Sequence, residues 1–130
     1  MYNYVFCCYV ESDFGGDPFL TYVPLENKSL EEGLQTVLEQ FQSVVGNYIP
    51  TRIEHRLYRL RETSLDEDTM WVMARGGKFA GLMGMVEDIG STGVGLLDLE
   101  SGTTYLMPKK DVVEIPHWDF ENEIWTLDKQ

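Results

Sequence analysis

The chain is 130 residues long and sets 22 Asp and Glu against 10 Lys and Arg, for a net charge of −12. Its 43% hydrophobic content, with 3 Trp, 7 Tyr and 6 Phe, supplies a packed interior and excludes general disorder. No apolar run approaches the ~20 residues that span a bilayer, and residues 1–11 lack the basic stretch and cleavage site of a secretory leader. The expectation is a cytoplasmic protein without a membrane partner, built as one compact domain or two very small ones sharing a core. Such a charge repels phosphate backbones at long range and attracts basic partners. Solubility alone is the plainer explanation of the same charge.

Residues 1–10 are rich in Tyr, Val, Phe and Cys and read as a strand buried on at least one face. Cys7 and Cys8 are neighbours, so on a strand they point to opposite faces and do not pair. With no third cysteine there is no zinc cage, and a small buried hydrophobe is the expected role. Residues 13–18, Asp-Phe-Gly-Gly-Asp-Pro, form a turn signal, and 19–23 a second strand, giving a hairpin. Asp13 and Asp17 are read as turn residues, because the acidic pattern of a calcium loop is missing.

The clearest helix runs over residues 30–45. Ser29 followed by Glu32 is a capping box, and Leu30, Leu34, Val37, Leu38, Phe41, Val44 and Val45 line one face. Gly46-Asn47 is a stop signal, and Gly33 inside the helix costs about 1 kcal/mol that the apolar stripe outweighs. Residues 51–62 leave two readings open. Ile53, Leu57 and Leu60 share a helical face behind Pro50, whereas Ile49, Ile53, Leu57 and Tyr58 fit a strand, and the strand is preferred because no cap is present. Residues 63–68 are an acidic connector.

From residue 69 the pattern is all-β. Strands are expected at 70–73, 82–89, 94–99, 103–107 and 112–115, with a tight turn at Glu100-Ser101-Gly102 and a single 3₁₀-type turn at 108–111. Between Gly77 and Ile89 the chain reads Gly-Lys-Phe-Ala-Gly-Leu-Met-Gly-Met-Val-Glu-Asp-Ile. Gly77, Gly81, Gly84, Val86 and Ile89 resemble a KOW motif, and the resemblance extends over 69–115, about a third of the chain. It implies a five-stranded SH3-like barrel whose glycines serve turns and close strand approach. Domains of this kind bind RNA, DNA, ribosomes or RNA polymerase through their loops. Here Arg75, Lys78, Lys109 and Lys110 lie where such contacts arise, outnumbered by Glu87, Asp88, Asp98, Glu100, Asp111 and Glu114. The fold class expected is therefore α+β: a ββαβ subdomain at 1–62, the connector, a KOW-like barrel at 69–115, and an acidic aromatic tail at 116–130.

No catalytic constellation is legible. His55 and His117 belong to no metal-spacing motif, and neither a nucleophile elbow nor a phosphate-binding Gly-rich loop occurs. Glu87 and Asp88, adjacent on a strand, are expected to face opposite ways. A non-enzyme without cofactor or metal is expected. Two surfaces read as binding devices. In the first, acids Glu62, Asp66, Glu67, Asp68, Asp119, Glu121 and Glu123 meet a basic partner while Trp118, Phe120 and Trp125 anchor in its groove. Packing of Trp118 and Trp125 into the protein's own core is the competing reading. In the second, Arg52, Arg56 and Arg59, with Lys78, Lys109 and Lys110, contact nucleic acid, or simply neutralise acids such as Glu54 and Glu62.

These features point to a non-catalytic acidic protein that binds a basic nucleic-acid-handling protein, as an inhibitor or nucleic-acid mimic of the anti-restriction or anti-CRISPR type. One alternative is a KOW-type accessory factor that binds RNA, the ribosome or polymerase. Another is a small-ligand-binding protein with a pocket between the two halves. Exposed strand edges leave a homodimer open.

Overall fold

The computed structural model describes residues 1–62 and 64–127; position 63 of the expected connector and positions 128–130 of the expected tail lie outside the described residues. The described residues are mostly β, with one α-helix and several antiparallel sheets among them. The first sheet holds β1 (Tyr4–Ser12), β2 (Phe19–Leu25) and β3 (Pro50–Arg59) in the order β2-β1-β3, so residues 51–59 are strand rather than helix. Helix α1 (Leu30–Val45) links β2 to β3.

β1 is central and buried on both sides, which explains its unbroken apolar run. Phe6, Cys8 and Val10 face α1, where they pack with Val23, Leu25, Val37 and Phe41. Val5, Cys7 and Tyr9 face the other way, onto Leu60, Met73, Val113, Ile115, Trp118 and Trp125. Both thiols are inert in this setting. Burial pushes Cys7 far above its ordinary range and Cys8 up to about 11.

The cap and stop of α1 are those the sequence predicts. The Ser29 hydroxyl accepts from the Glu32 N–H at 3.1 Å, and Gly46 closes the helix at φ 89°. Gly33 has a role beyond tolerated cost. A Cβ there would lie 2.6 Å from Cγ of Phe6, so the missing side chain lets α1 rest directly on the Phe6 ring.

The second sheet is a meander of β4 (Trp71–Ala74), β5 (Met83–Ile89), β6 (Gly93–Asp98) and β7 (Thr103–Pro108). A 3₁₀ turn, Lys109–Asp111, then leads to β8 (Val112–Glu114), which returns to pair with β4. The order is β7-β6-β5-β4-β8, so β7 and β8 are its edges and the described residues form no closed barrel. Its own core holds Leu65, Val72, Ala74, Val94, Leu96, Met107 and Val112. Gly84 sits where β5 crosses the Leu97 carbonyl of β6 too closely for any Cβ, and Gly77 and Gly81 turn the preceding loop at positive φ.

The segment read as a tail holds a two-stranded hairpin, β9 (His117–Asp119) and β10 (Ile124–Thr126). It lies over the β1 face opposite α1. Trp118 stacks on Tyr9 with centroids 4.1 Å apart and meets Trp125 edge-on at 5.5 Å. Nε1 of Trp125 donates to the Glu54 carbonyl at 3.0 Å, and the Tyr22 hydroxyl donates to the Pro116 carbonyl at 2.8 Å. Among the described residues, no helix is long and apolar enough to cross a membrane.

Candidate functional site

The acidic residues of the connector meet those of β5 across one groove. Leu65 is buried in the core of the second sheet and anchors the connector there. A short turn follows: Oδ1 of Asp66 accepts from the Asp68 N–H at 2.9 Å, and the Thr69 N–H donates to the Asp66 carbonyl at 3.0 Å. Opposite this turn the pairing of β5 with β6 shifts between Val86 and Asp88, a β-bulge that sets an extra residue against β6. The expectation that Glu87 and Asp88 face opposite ways holds for a regular strand. The bulge overturns it, since both residues are exposed and line the groove.

The resulting groove has a volume of about 560 Å³ and is lined by Asp66, Glu67, Glu87 and Asp88, with Thr69 and the apolar Val86 and Ile89. Among the described residues, no basic one is in its lining. Glu87 is held in place by the Thr104 hydroxyl, which donates to its carboxylate. Carboxylates crowded in one groove repel one another, and a cationic side chain entering between them relieves that repulsion. Asp68 is exposed beside the groove rather than in its lining, and Glu62 lies elsewhere, in a small pocket with Lys109 and Lys110.

Two acids of the C-terminal hairpin, Asp119 and Glu123, are engaged within the protein. Asp119 accepts from the backbone N–H groups of Glu121 and Asn122 at 2.9 and 3.1 Å and from the Asn122 amide at 2.8 Å. The Asn122 bonds hold its carboxyl below the usual carboxylate range. Glu123, at φ 56°, places its carboxylate 2.8 Å from Nη1 of Arg52. Arg52 also meets Glu54 at 3.2 Å and Glu11 at 3.5 Å, and its guanidinium lies 5.7 Å from the Tyr9 ring centre. Those hydrogen bonds to Glu123 and Glu54 raise its pKa further. Trp118 and Trp125 are each only 7% exposed, so of the expected aromatic anchors only Phe120, at 66%, presents its ring to solvent. Glu121 is exposed beside it.

The basic residues do not form one patch. Arg52 and Arg56 share a face of β3, where Arg56 donates to the Trp125 carbonyl at 3.2 Å and lies over the Tyr58 ring. Arg59, an odd number of positions away, belongs to the opposite face. Lys78 lies over Phe79, and Lys109 and Lys110 border an open groove of about 880 Å³ with Thr92 and the exposed Leu106. No group of three or more His, Cys, Asp or Glu among the described residues is placed to hold a metal ion.

Sequence reasoning missed Thr69, Glu87 and Asp88 as partners of Asp66 and Glu67. Only the bulge brings them together, and the single hint of it is the polar Glu-Asp pair interrupting an alternating strand. Comparison with protein-family profiles, with curated proteins and with solved structures returns no match.

Proposed function

We propose that this chain is a non-catalytic binding protein whose acidic groove receives basic side chains of a nucleic-acid-handling protein, in the manner of an inhibitor or nucleic-acid mimic. The observation that carries this reading is the lining of the groove: Asp66, Glu67, Glu87 and Asp88 together, with no basic residue among the described ones that line it. A partner that normally grips phosphates offers Lys and Arg side chains of the kind this groove accommodates. Charge of this sign steers encounter and gives specificity for a basic surface. The chain with Glu67→Lys and Asp88→Lys tests it in affinity capture from a lysate across a salt series. The expected result is a basic nucleic-acid-binding protein retained by the parent chain, displaced by added DNA or RNA, and lost with the variant. Retention of the same proteins by both chains would overturn the reading.

A second reading has its own support. A four-strand meander, a 3₁₀ turn and a fifth strand returning to the first is the order an SH3-like barrel uses, and it coincides with the KOW-like stretch Gly77 to Ile89. On this reading residues 69–115 are an open version of such a barrel, and Lys109 and Lys110 beside Thr92 contact RNA, the ribosome or polymerase. Salt-sensitive RNA binding that weakens in Lys109→Ala would favour it. RNA affinity absent at low salt would remove its direct form.

A further inference from the structure

At one end of the first sheet, the start of β1 and the ends of β2 and β3 meet the loop after β4. Between them lies a cleft of about 440 Å³ lined by Lys28, Arg59 and Arg75, with Asn3, Asn27 and one carboxylate residue, Glu26. Three of the chain's 10 basic residues therefore share one small cleft on a molecule of net charge −12. The contrast with Arg52 is direct, since that guanidinium is surrounded by Glu11, Glu54 and Glu123. Among the described residues no ion pair joins Lys28, Arg59 or Arg75 to a carboxylate.

One of the three is held in position. Nε of Arg75 donates to the Tyr2 carbonyl at 3.1 Å and Nη2 to Oδ1 of Asn3 at 3.2 Å, which fixes the guanidinium and leaves donor capacity on Nη1. Arg59 enters from the end of β3 and Lys28 from the residue before the Ser29 cap of α1. A fixed guanidinium fork, a second guanidinium and an ammonium from three separate chain segments match the several acceptor oxygens of a phosphate group. The volume lies within the range of about 300–1,000 Å³ usual for small-molecule sites.

We propose that this cleft binds the phosphate group of a small phosphorylated molecule. The site is separate from the acidic groove, and the proposal does not depend on the function assigned to that groove. The cleft joins the first sheet to the loop between β4 and β5, so an anion bound there ties the two sheets together.

The test is calorimetric titration of the full chain with inorganic phosphate, pyrophosphate and adenosine diphosphate, at ionic strength matched with chloride, with amide NMR shifts to locate the contact. Lys28→Gln with Arg59→Gln is the informative variant, because neither side chain makes a hydrogen bond or ion pair with another described residue that folding requires. Lys109→Gln with Lys110→Gln is the control at the other basic surface. The expected result is saturable binding of at least one probe, with shifts at residues 26–29, 59, 60 and 75, weakened about tenfold or more in the first variant and unchanged in the control. Affinity weaker than about 1 mM for all three probes would overturn the proposal, as would equal loss in both variants. A single-stranded oligonucleotide distinguishes the source of the phosphate. Binding of the oligonucleotide alone, needing Lys109 and Lys110 as well, would mark a general backbone contact instead of this site.

Discussion

The surroundings of Arg52 and the groove at Asp66 both gather carboxylates, yet they differ in what those carboxylates do. Around Arg52, Glu11, Glu54 and Glu123 converge on a partly exposed cation of the same chain, and the nearby Asp119 holds its own turn. In the groove, Asp66, Glu67, Glu87 and Asp88 line one open cleft, where Asp66 accepts from the Asp68 N–H and Glu87 from the Thr104 hydroxyl, and no basic side chain is among the described lining residues. Acidity counted along the chain does not separate the two cases; position in the fold does. The first surface fastens the C-terminal hairpin to the first sheet, and the second is the one we propose receives a basic partner.

This contrast requires that changes at the first surface cost stability and spare binding, while changes at the second do the reverse. The largest effect is expected from Trp125→Ala, which removes a 7%-exposed ring that bonds Glu54 and packs on Trp118 and Tyr22. A loss of about 3–5 kcal/mol in urea unfolding is expected, and a loss below about 1 kcal/mol would show that the hairpin does not belong to the core. A control away from both surfaces is Gly33→Ala. The new methyl meets Phe6 at 2.6 Å, so stability should fall by about 1–3 kcal/mol despite a helix-propensity gain of about 1. A more stable variant would mean that α1 shifts freely on the sheet.

Arg52→Ala should cost only about 1 kcal/mol or less, because the pairs are partly solvated, and should leave partner binding intact. Smaller still, and opposite in sign, is the effect of Glu87→Gln with Asp88→Asn. Relief of repulsion should leave stability unchanged or raise it by about 0.5 kcal/mol or less, while capture of the basic partner falls. Loss of both stability and binding would erase the distinction between the two surfaces.

The pH dependence sharpens the first surface. The Tyr9 hydroxyl donates to the Glu11 carboxylate, and that bond, with burial, pushes its pKa up to about 12. Because the folded value is the higher one, the contribution is fully present below the ordinary tyrosine value of about 10 and is lost as pH rises through about 12. A tyrosinate absorbance titration should show several late-ionising groups, because burial also raises Tyr22 and Tyr58, and only one of them should move earlier in Glu11→Gln. No change in that variant would remove the bond from the account.

Much of the fold was legible because its signals are local. The Ser29 cap, the apolar stripe and Gly46 bound α1 at Leu30–Val45, and alternation with turn glycines placed β1 within three residues and β2 and the strands of the second sheet within two. The reason for Gly33 was not legible, because it depends on Phe6, 27 positions away in sequence but adjacent in the packing. The hairpin at 117–126 was also missed. Trp118 to Glu121 alternate aromatic with acid, but each strand is only three residues long, and the hairpin's stability comes from Tyr9, Tyr22 and β3 beneath it. Of the acidic site, Asp66 and Glu67 were read from the connector, whereas Glu87 and Asp88 entered through a bulge that no local rule announces. The cleft of Lys28, Arg59 and Arg75 draws one cation from each of three distant segments, so no spacing along the chain points to it.

The most direct test of the acidic groove is an amide NMR titration of the full chain with a short oligolysine peptide. Shifts concentrated at residues 66–69 and 86–89, and abolished in Glu67→Lys with Asp88→Lys, are the expected result. Shifts spread evenly over all acidic segments, including residues 31–32 and 119–123, would contradict it.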